Sequence, residues 1–130
     1  MSNYEVRDDL LYTKSHEWVK EEDGVFLVGL TDYAQDKIGD AVYFELPEED
    51  DELEVGAVLG DVESVKAVSD IYSPVAGVVV EVNEELLDSP ELVNESPYDS
   101  WLIKVGEVTE KEELLSASEY EAFLNNQKDE

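Results

Sequence analysis

Short runs of β-branched and aromatic residues, separated by glycine, proline and acidic turns, limit the folds open to this chain. The runs are "VFLVGL" from Val25, "AVYFELP" from Ala41, "VVVEV" from Val78 and "WLIKVGEV" from Trp101. Runs of this length and content are typical of β-strands. Strand patterns also run through "VGAVLGDVESVKAV", and "DIYSPVAG" combines strand and turn signals. We therefore predict a mainly β fold, a sandwich or flattened barrel.

Helical patterns are few and short in the first two thirds of the chain. The segment "TDYAQDKIGD" predicts a short helix that Thr31 or Asp32 caps and Gly39 ends. From Asn83, the segment "NEELLDSPELVN" predicts short helical turns that are interrupted at Pro90. The strands are thus expected to form most of the fold, with short helices between them.

The C-terminal part reads as one helix. The helical period begins at Thr109 and predicts a terminal helix over about residues 112–125. Within it, Ser116 and Glu119 have the spacing of a capping box. No linker is long enough to divide the chain, so we expect one domain over residues 1–130.

The charge of the chain excludes several kinds of partner. It has 35 acidic and 8 basic residues, a net charge of −27. Such an excess repels nucleic acid and anionic membrane surfaces. Because the acids are spread along the chain, they favour adaptation to a cytoplasm of high salt, as in a halophile, over a basic partner. Circular dichroism at low and high salt would test this expectation.

The remaining composition predicts a soluble cytoplasmic protein. There is no cysteine, which excludes disulfides and thiolate metal sites. No apolar run approaches the roughly 20 residues that span a bilayer. The start "MSNYEVRDD" does not resemble a signal or transit peptide.

No pattern in the sequence predicts an active site. His16 is the only histidine, and "HEWVK" lacks the second histidine of a zinc-binding helix. No nucleophile elbow accompanies His16, so a structural or surface histidine is favoured over a member of a catalytic triad. The acidic "EEDDE" lacks the alternating ligands and central glycine of an EF-hand loop. A catalyst with its own site is therefore the least favoured class.

Lys66 stands out because it lies in "GDVESVKAVSDIYSPVAG", between valine and alanine neighbours. One interpretation is a solvated lysine on a hairpin. The other is a lysine that carries a covalent group, since its ε-amine forms a stable amide at the end of a flexible stem. Composition alone leaves both open.

The motifs around Lys66 identify a family. The segment "GDVESVKAVSDIYSPVAGVVVEVN" closely resembles the lipoylation segment of glycine cleavage system H proteins. Glu63 lies three residues before Lys66 and Gly77 eleven after, as in that family. Further matches cover about residues 11–124: "YTKSHEWV", "VGLTDYAQDKIGDAVYFELPE", "DSPELVN", "PYDSWLIKV" and "LLSASEYEAFL". The resemblance implies a flattened barrel-sandwich hybrid of two antiparallel sheets, with short helices and a C-terminal helix.

The resemblance implies a carrier that is not itself an enzyme. Lys66 would bear lipoic acid in amide linkage, and Glu63 and Gly77 would contribute to recognition by the lipoate-attaching enzyme. The implied partners are a pyridoxal-phosphate glycine decarboxylase, an aminomethyltransferase that uses tetrahydrofolate, and a dihydrolipoyl dehydrogenase with FAD and NAD. The lysine side chain together with its lipoyl group is called the arm. It would carry an aminomethyl group between the first two enzymes, and with that group attached it is called the loaded arm.

The resemblance also implies a cleft that protects the loaded arm. The family positions that hold the arm match Ser15, Glu17 and Asp70. One departure from the family pattern is the turn "YDSW", which is shorter and lacks glycine. Two alternatives stay open: an H-like lipoate carrier or donor for another pathway, and an unmodified structural or interaction protein.

Overall fold

A computed structural model of the chain describes residues 4–126. Its strands and helices follow the chain in this order: β1 (Leu11–Tyr12), β2 (Glu17–Glu22), β3 (Val25–Leu30), α1 (Asp32–Ile38), β4 (Ala41–Glu45), β5 (Glu52–Leu53), β6 (Val58–Ser64), β7 (Val68–Tyr72), β8 (Val75–Val82), α2 (Glu84–Asp88), α3 (Leu92–Glu95), β9 (Ile103–Lys111) and α4 (Ala117–Asn126). The mainly β fold is confirmed.

The strands form two sheets, and every pair of neighbouring strands is antiparallel. The larger sheet has the order β1-β2-β3-β9-β8-β5, and the smaller has the order β4-β6-β7. Their inner faces share one apolar core, to which Val28 and Ile103 contribute from the larger sheet and Val62 and Ile71 from the smaller. The predicted pair of antiparallel sheets is therefore confirmed.

A second apolar cluster lies where the C-terminal helix α4 packs on the start of the chain. Tyr12, Trp18 and Leu27 contribute from the strands, and Tyr120 and Leu124 from α4. The rings of Tyr12 and Tyr120 stack in parallel with centroids 4.5 Å apart. This cluster fixes α4 against the turn between β1 and β2.

The predicted ends of α1 are confirmed. The side chain of Thr31 accepts a hydrogen bond from the amide of Ala34, as an N-cap does. Gly39 ends the helix with φ of 86°, a left-handed value that glycine adopts without steric cost. The predicted helical turns after Asn83 are also present, as α2 and α3.

The predicted start of the C-terminal helix is wrong. Strand β9 continues to Lys111, because it keeps pairing with β8 as far as Val75. Leu115 then pairs with Tyr12, with N–O distances of 2.7 and 2.9 Å, which keeps this part of the chain extended. The helix begins only at Ala117, behind the predicted capping box of Ser116 and Glu119, which is confirmed.

No helix within residues 4–126 combines the length and the apolar character that a membrane span requires. The single domain over residues 1–130 and the halophilic origin stay predictions. Three ion pairs occur within the described residues, so most carboxylates there have no cationic partner.

Candidate functional site

Lys66 lies at the tip of the hairpin between β6 and β7, with its side chain exposed. The turn is held from inside by Ser64. Its hydroxyl accepts hydrogen bonds from the amides of Lys66 at 3.1 Å and Ala67 at 3.2 Å, and its amide donates to the Ala67 carbonyl at 2.8 Å. Such a serine turn fixes the backbone, while the side chain of Lys66 stays exposed.

The segment after α1 supports this turn from the outside. The amide of Val65 donates to the carbonyl of Asp40 at 3.1 Å. Asn94, from α3, donates to the carbonyl of Gly39 at 2.9 Å and so fixes the same segment. A Cβ at Gly39 would lie 3.0 Å from Cε of Lys66, which means that the lysine stem rests against this glycine.

The two residues expected to contribute to recognition lie in different sheets. Glu63 is exposed on β6, opposite Val68, and close in sequence to Lys66. Gly77 lies on β8 of the larger sheet, opposite Leu53. Glu63 therefore lies beside the Lys66 turn, and Gly77 lies in the other sheet, close to Gly106 and Val105. The recognition role of both residues stays a prediction.

We expect Gly77→Ala to destabilise the fold. A Cβ there would lie 2.5 Å from the carbonyl oxygen of Gly106 and 2.8 Å from Cγ1 of Val105, so the backbone has to shift. Overpacking of this kind costs about 1–3 kcal/mol, measurable by urea unfolding. Gly106→Ala is the matched control, because its Cβ would meet only the side chain of Val80 at 3.0 Å. Equal stability of the two variants would contradict the steric role.

A row of three carboxylates crosses the outer face of the smaller sheet. Glu45 on β4 pairs with Asp61 on β6, and Asp61 pairs with Asp70 on β7. Like charges on neighbouring strands add to one negative potential and repel each other. This negative potential lies at β7, the strand that follows Lys66. Within residues 4–126, no three side chains are arranged to bind a metal ion.

Glu17, the first residue of β2, is buried, and its carboxylate accepts three hydrogen bonds. Oε1 accepts from Thr13 Oγ1 at 2.6 Å and from Ser15 Oγ at 2.7 Å. Oε2 accepts from the amide of Tyr72 at 3.2 Å. Because Tyr72 ends β7, this last bond joins the turn between β1 and β2 to the edge of the smaller sheet.

The surroundings of Glu17 favour its neutral form. Burial raises the pKa of its carboxyl to about 7, and the negative charge of Glu112 adds to the rise. The hydrogen bonds from Ser15, Thr13 and Tyr72 oppose the rise, because they stabilise the ionised carboxylate. Glu17 therefore changes its charge near neutral pH.

The structure brings two of the three predicted cleft residues together. Ser15 and Glu17 are hydrogen-bonded, and Ser15 is exposed. Asp70 lies two residues before Tyr72 on β7 and is also exposed. Within the described residues, no hydrogen bond joins Asp70 to Ser15 or Glu17.

His16 is half-buried among aromatic rings, in keeping with the structural role expected of it. Its ring lies 4.4 Å from that of Tyr33, centroid to centroid, and Nδ1 is 2.8 Å from the hydroxyl of Tyr120. Burial lowers the pKa of His16 to about 4, so the ring is neutral at neutral pH.

Sequence reasoning missed four parts of this site. Thr13, the amide of Tyr72, Asp61 and Glu45 were not predicted to contribute. The alternation of Thr13 with Ser15 and Glu17 is a signal that could have suggested the first. The other three depend on the pairing of strands and on the contact between the sheets, which local sequence does not contain.

Comparison with known proteins assigns the family. The model of the family described as glycine cleavage H-protein matches residues 10–127. A glycine cleavage system H protein of Oceanobacillus iheyensis is 58% identical over 121 residues, which cover 91% of this chain and 96% of that protein. One of Lachnoclostridium phytofermentans is 55% identical over 123 residues, 94% of this chain and 97% of that protein.

A solved structure agrees with this assignment. The crystal structure of a glycine cleavage system H protein from Mycobacterium marinum superposes with a TM-score of 0.88 and is 38% identical. The match covers 92% of this chain and 99% of the other. The sequence motifs, the two antiparallel sheets with an exposed hairpin lysine, and these relatives agree. The chain belongs to the glycine cleavage H-protein family.

Proposed function

We propose that this protein is the lipoyl-bearing carrier of the glycine cleavage system, with Lys66 as the attachment residue. The observation that supports this most directly is the position of Lys66 at an exposed hairpin tip in a chain of this family. The carrier has no catalytic site of its own in this proposal. Nothing in the fold or among the relatives favours the two alternatives, a donor for another pathway or an unmodified protein. That the carrier works in the cytoplasm stays a proposal from sequence.

The surroundings of Lys66 suit a lipoyl group. Its ε-amine is exposed, and no ion pair of Lys66 occurs among the described residues. When bound, the group would supply a disulfide whose S–S bond is broken as one sulfur takes the aminomethyl group and the other becomes a thiol. Removal of the aminomethyl group would leave the arm on Lys66 as a dithiol. The chain contributes the rigid turn, which presents the amine to the attaching enzyme and then holds the base of the arm. Glu63 beside it and Gly77 on β8 are the proposed recognition residues.

The length of the arm fits the position of Asp70. A lipoyl-lysine has about twelve bonds from Cα to the nearer sulfur, and an extended chain gains about 3.5 Å per three bonds, which gives about 14 Å. Asp70 lies four residues after Lys66, and four residues of even fully extended backbone span only about 13 Å. Asp70 is therefore within reach of the cargo on an arm that lies along β7.

The proposed cleft divides its tasks between its residues. Asp70 and Ser15 are exposed and can hydrogen-bond the amine of the cargo. Glu17 is 1% exposed and already accepts three hydrogen bonds, so we assign it to holding Ser15 and the end of β7 in place. The carboxylate row that includes Asp61 adds negative potential where a cationic amine would lie.

The partners follow from the proposed role. Glycine decarboxylase, with pyridoxal phosphate, would load the arm, and the tetrahydrofolate-dependent aminomethyltransferase would unload it. Dihydrolipoyl dehydrogenase, with FAD and NAD, would reoxidise the dithiol. Tethering raises the effective concentration of the cargo at each docked enzyme. Intact-mass and peptide mass spectrometry of the protein from its native host tests the proposal: a single lipoyl adduct on the Lys66 peptide supports it, and a bare Lys66 in cells that lipoylate other proteins contradicts it.

We expect Asp70→Ala to shorten the half-life of the loaded arm about tenfold, the effect of losing a hydrogen bond to a charged group. We expect Glu17→Ala to shorten it as well, because Ser15 and the end of β7 lose the side chain that holds them in place. The half-life is measured on purified loaded protein without partner enzymes. Asp88→Ala, on α2, removes the same charge away from the proposed cleft and serves as control. Half-lives equal to that of the control would remove both residues from the cleft.

A further inference from the structure

His16 has a backbone conformation that a glycine would adopt more easily. The amide of His16 donates to the carbonyl of Thr13 at 3.2 Å, and the amide of Thr13 donates to the carbonyl of Glu17 at 3.0 Å. This is a tight hairpin loop whose last residue is left-handed, with φ of 74° at His16. Glycine or asparagine is usual at such a position. The imidazole therefore has to contribute something that compensates for the unfavourable backbone.

The ring of His16 joins the loop to the C-terminal helix. Its Nδ1 lies 2.8 Å from the hydroxyl of Tyr120, which is fully buried on α4. Tyr120 is itself fixed by the stacking of its ring on Tyr12. The loop thus rests on a side chain that is held by the second apolar cluster.

The same hydroxyl closes a ring of hydrogen bonds with α1. Tyr120 Oη lies 2.8 Å from Oγ1 of Thr31, the N-cap of α1. The amide of Thr31 donates to the carbonyl of His16 at 3.2 Å. His16 is therefore tied to Thr31 twice, once through the backbone and once through Tyr120, and the phenol hydroxyl is the shared atom.

Ser15 and Glu17 flank His16, so any rotation at residue 16 moves both of their side chains. The bond from the Tyr72 amide to Glu17 is 3.2 Å long, near the limit for a good N–H···O bond, and a small displacement breaks it. We propose that His16 and Tyr120 are positioning residues: the hydrogen bond between them holds Ser15 and Glu17 in register with β7, so that α4 controls how well the cleft protects the loaded arm. The last clause rests on the proposed function, whereas the positioning of Glu17 does not.

Amide hydrogen exchange on the unmodified protein tests the positioning directly. The Tyr72 amide donates to Glu17, whereas the next amide, that of Ser73, donates to the backbone carbonyl of Ala57 at 2.8 Å. In His16→Gly and in Tyr120→Phe, we expect exchange at Tyr72 to become roughly tenfold faster, the effect of losing one hydrogen bond, with little change at Ser73.

Tyr98→Phe is the matched control. It also removes a hydroxyl, here half-buried, with two backbone partners, the amide of Asp32 and the carbonyl of Glu5, and no hydrogen bond or ring contact joins Tyr98 to His16 among residues 4–126. We expect it to leave the ratio of the Tyr72 and Ser73 exchange rates unchanged. Circular dichroism establishes that each variant is folded.

A double-mutant cycle on the loaded protein tests the consequence for the arm. If His16 and Tyr120 act through one bond, the double variant loses no more half-life than the more affected single variant. Unchanged Tyr72 exchange in both single variants, or equal acceleration at Tyr72 and Ser73, would overturn the proposal. So would an equal effect of Tyr98→Phe. If the protein proves not to carry lipoate, the proposed function fails, but the exchange experiment on the unmodified chain still decides the positioning.

Discussion

Lys66→Arg removes the lipoyl adduct completely and with it all transfer of the aminomethyl group. Arginine keeps the positive charge and the long stem, but its guanidinium is not an acylatable amine. Lys66 is exposed and its turn is held by Ser64, so the substitution changes the free energy of unfolding by no more than about 0.5 kcal/mol. The loss is therefore one of chemistry at a single atom, with the fold retained.

Intact-mass spectrometry after incubation with the lipoate-attaching enzyme measures the adduct, and glycine decarboxylation with the purified partners measures the transfer. Lys37→Arg is the control, because Lys37 is an exposed lysine in the last turn of α1. We expect Lys37→Arg to be lipoylated and active to the same extent as the protein without any substitution. An adduct that persists in Lys66→Arg would place the attachment on another lysine and refute the assignment.

Local sequence was sufficient where the structure depends on local chemistry. The ends of α1 follow from a threonine that can cap and a glycine that can adopt a left-handed conformation, and both are found at Thr31 and Gly39. The strand "VFLVGL" coincides with β3 because nearly every residue in it is buried. Lys66 could be singled out because the family pattern surrounds it closely in sequence.

Local sequence did not predict the structure where it depends on contacts with residues far away in the chain. Residues 109–115 have helical periodicity, but pairing with β8 and with Tyr12 keeps them extended. The left-handed conformation of His16 depends on Tyr120, more than one hundred residues later. The burial of Glu17 depends on the approach of β7 from the other sheet. In each case, the determining contact joins segments that sequence patterns treat separately.

Glu17 makes the stability of the protein depend on pH in an unusual direction. Its pKa rises from 4.5 to about 7 on folding, because burial disfavours the carboxylate. Between these values, the folded state retains a proton that the unfolded state has lost, so the free energy of unfolding falls as the pH rises. At about 1.4 kcal/mol per pKa unit, the loss from pH 4.5 to pH 7 is about 3 kcal/mol.

The neighbouring His16 has the opposite effect. Burial lowers its pKa from 6.5 to about 4, so below pH 6.5 the unfolded state takes up a proton that the folded state does not. This term makes the free energy of unfolding rise with pH between about 4 and 6.5. In the protein that has both Glu17 and His16, their contributions to the pH dependence oppose each other over most of this range. Neither contribution can therefore be measured separately.

Glu17→Gln separates the two terms, because glutamine removes the titrating group and keeps the shape of the side chain. The quantity to follow is the free energy of unfolding of Glu17→Gln minus that of the protein with glutamate at position 17. We expect this difference to increase by about 3 kcal/mol between pH 4.5 and pH 7 and then to level off. Urea unfolding at constant salt, at half-unit steps of pH, measures this difference. Glu21→Gln, an exposed glutamate of β2, controls for the loss of one charge, and its difference is expected to stay within about 0.5 kcal/mol. A difference between Glu17→Gln and the unmodified protein that does not change with pH would mean that Glu17 is ionised throughout, and that its three hydrogen bonds outweigh its burial.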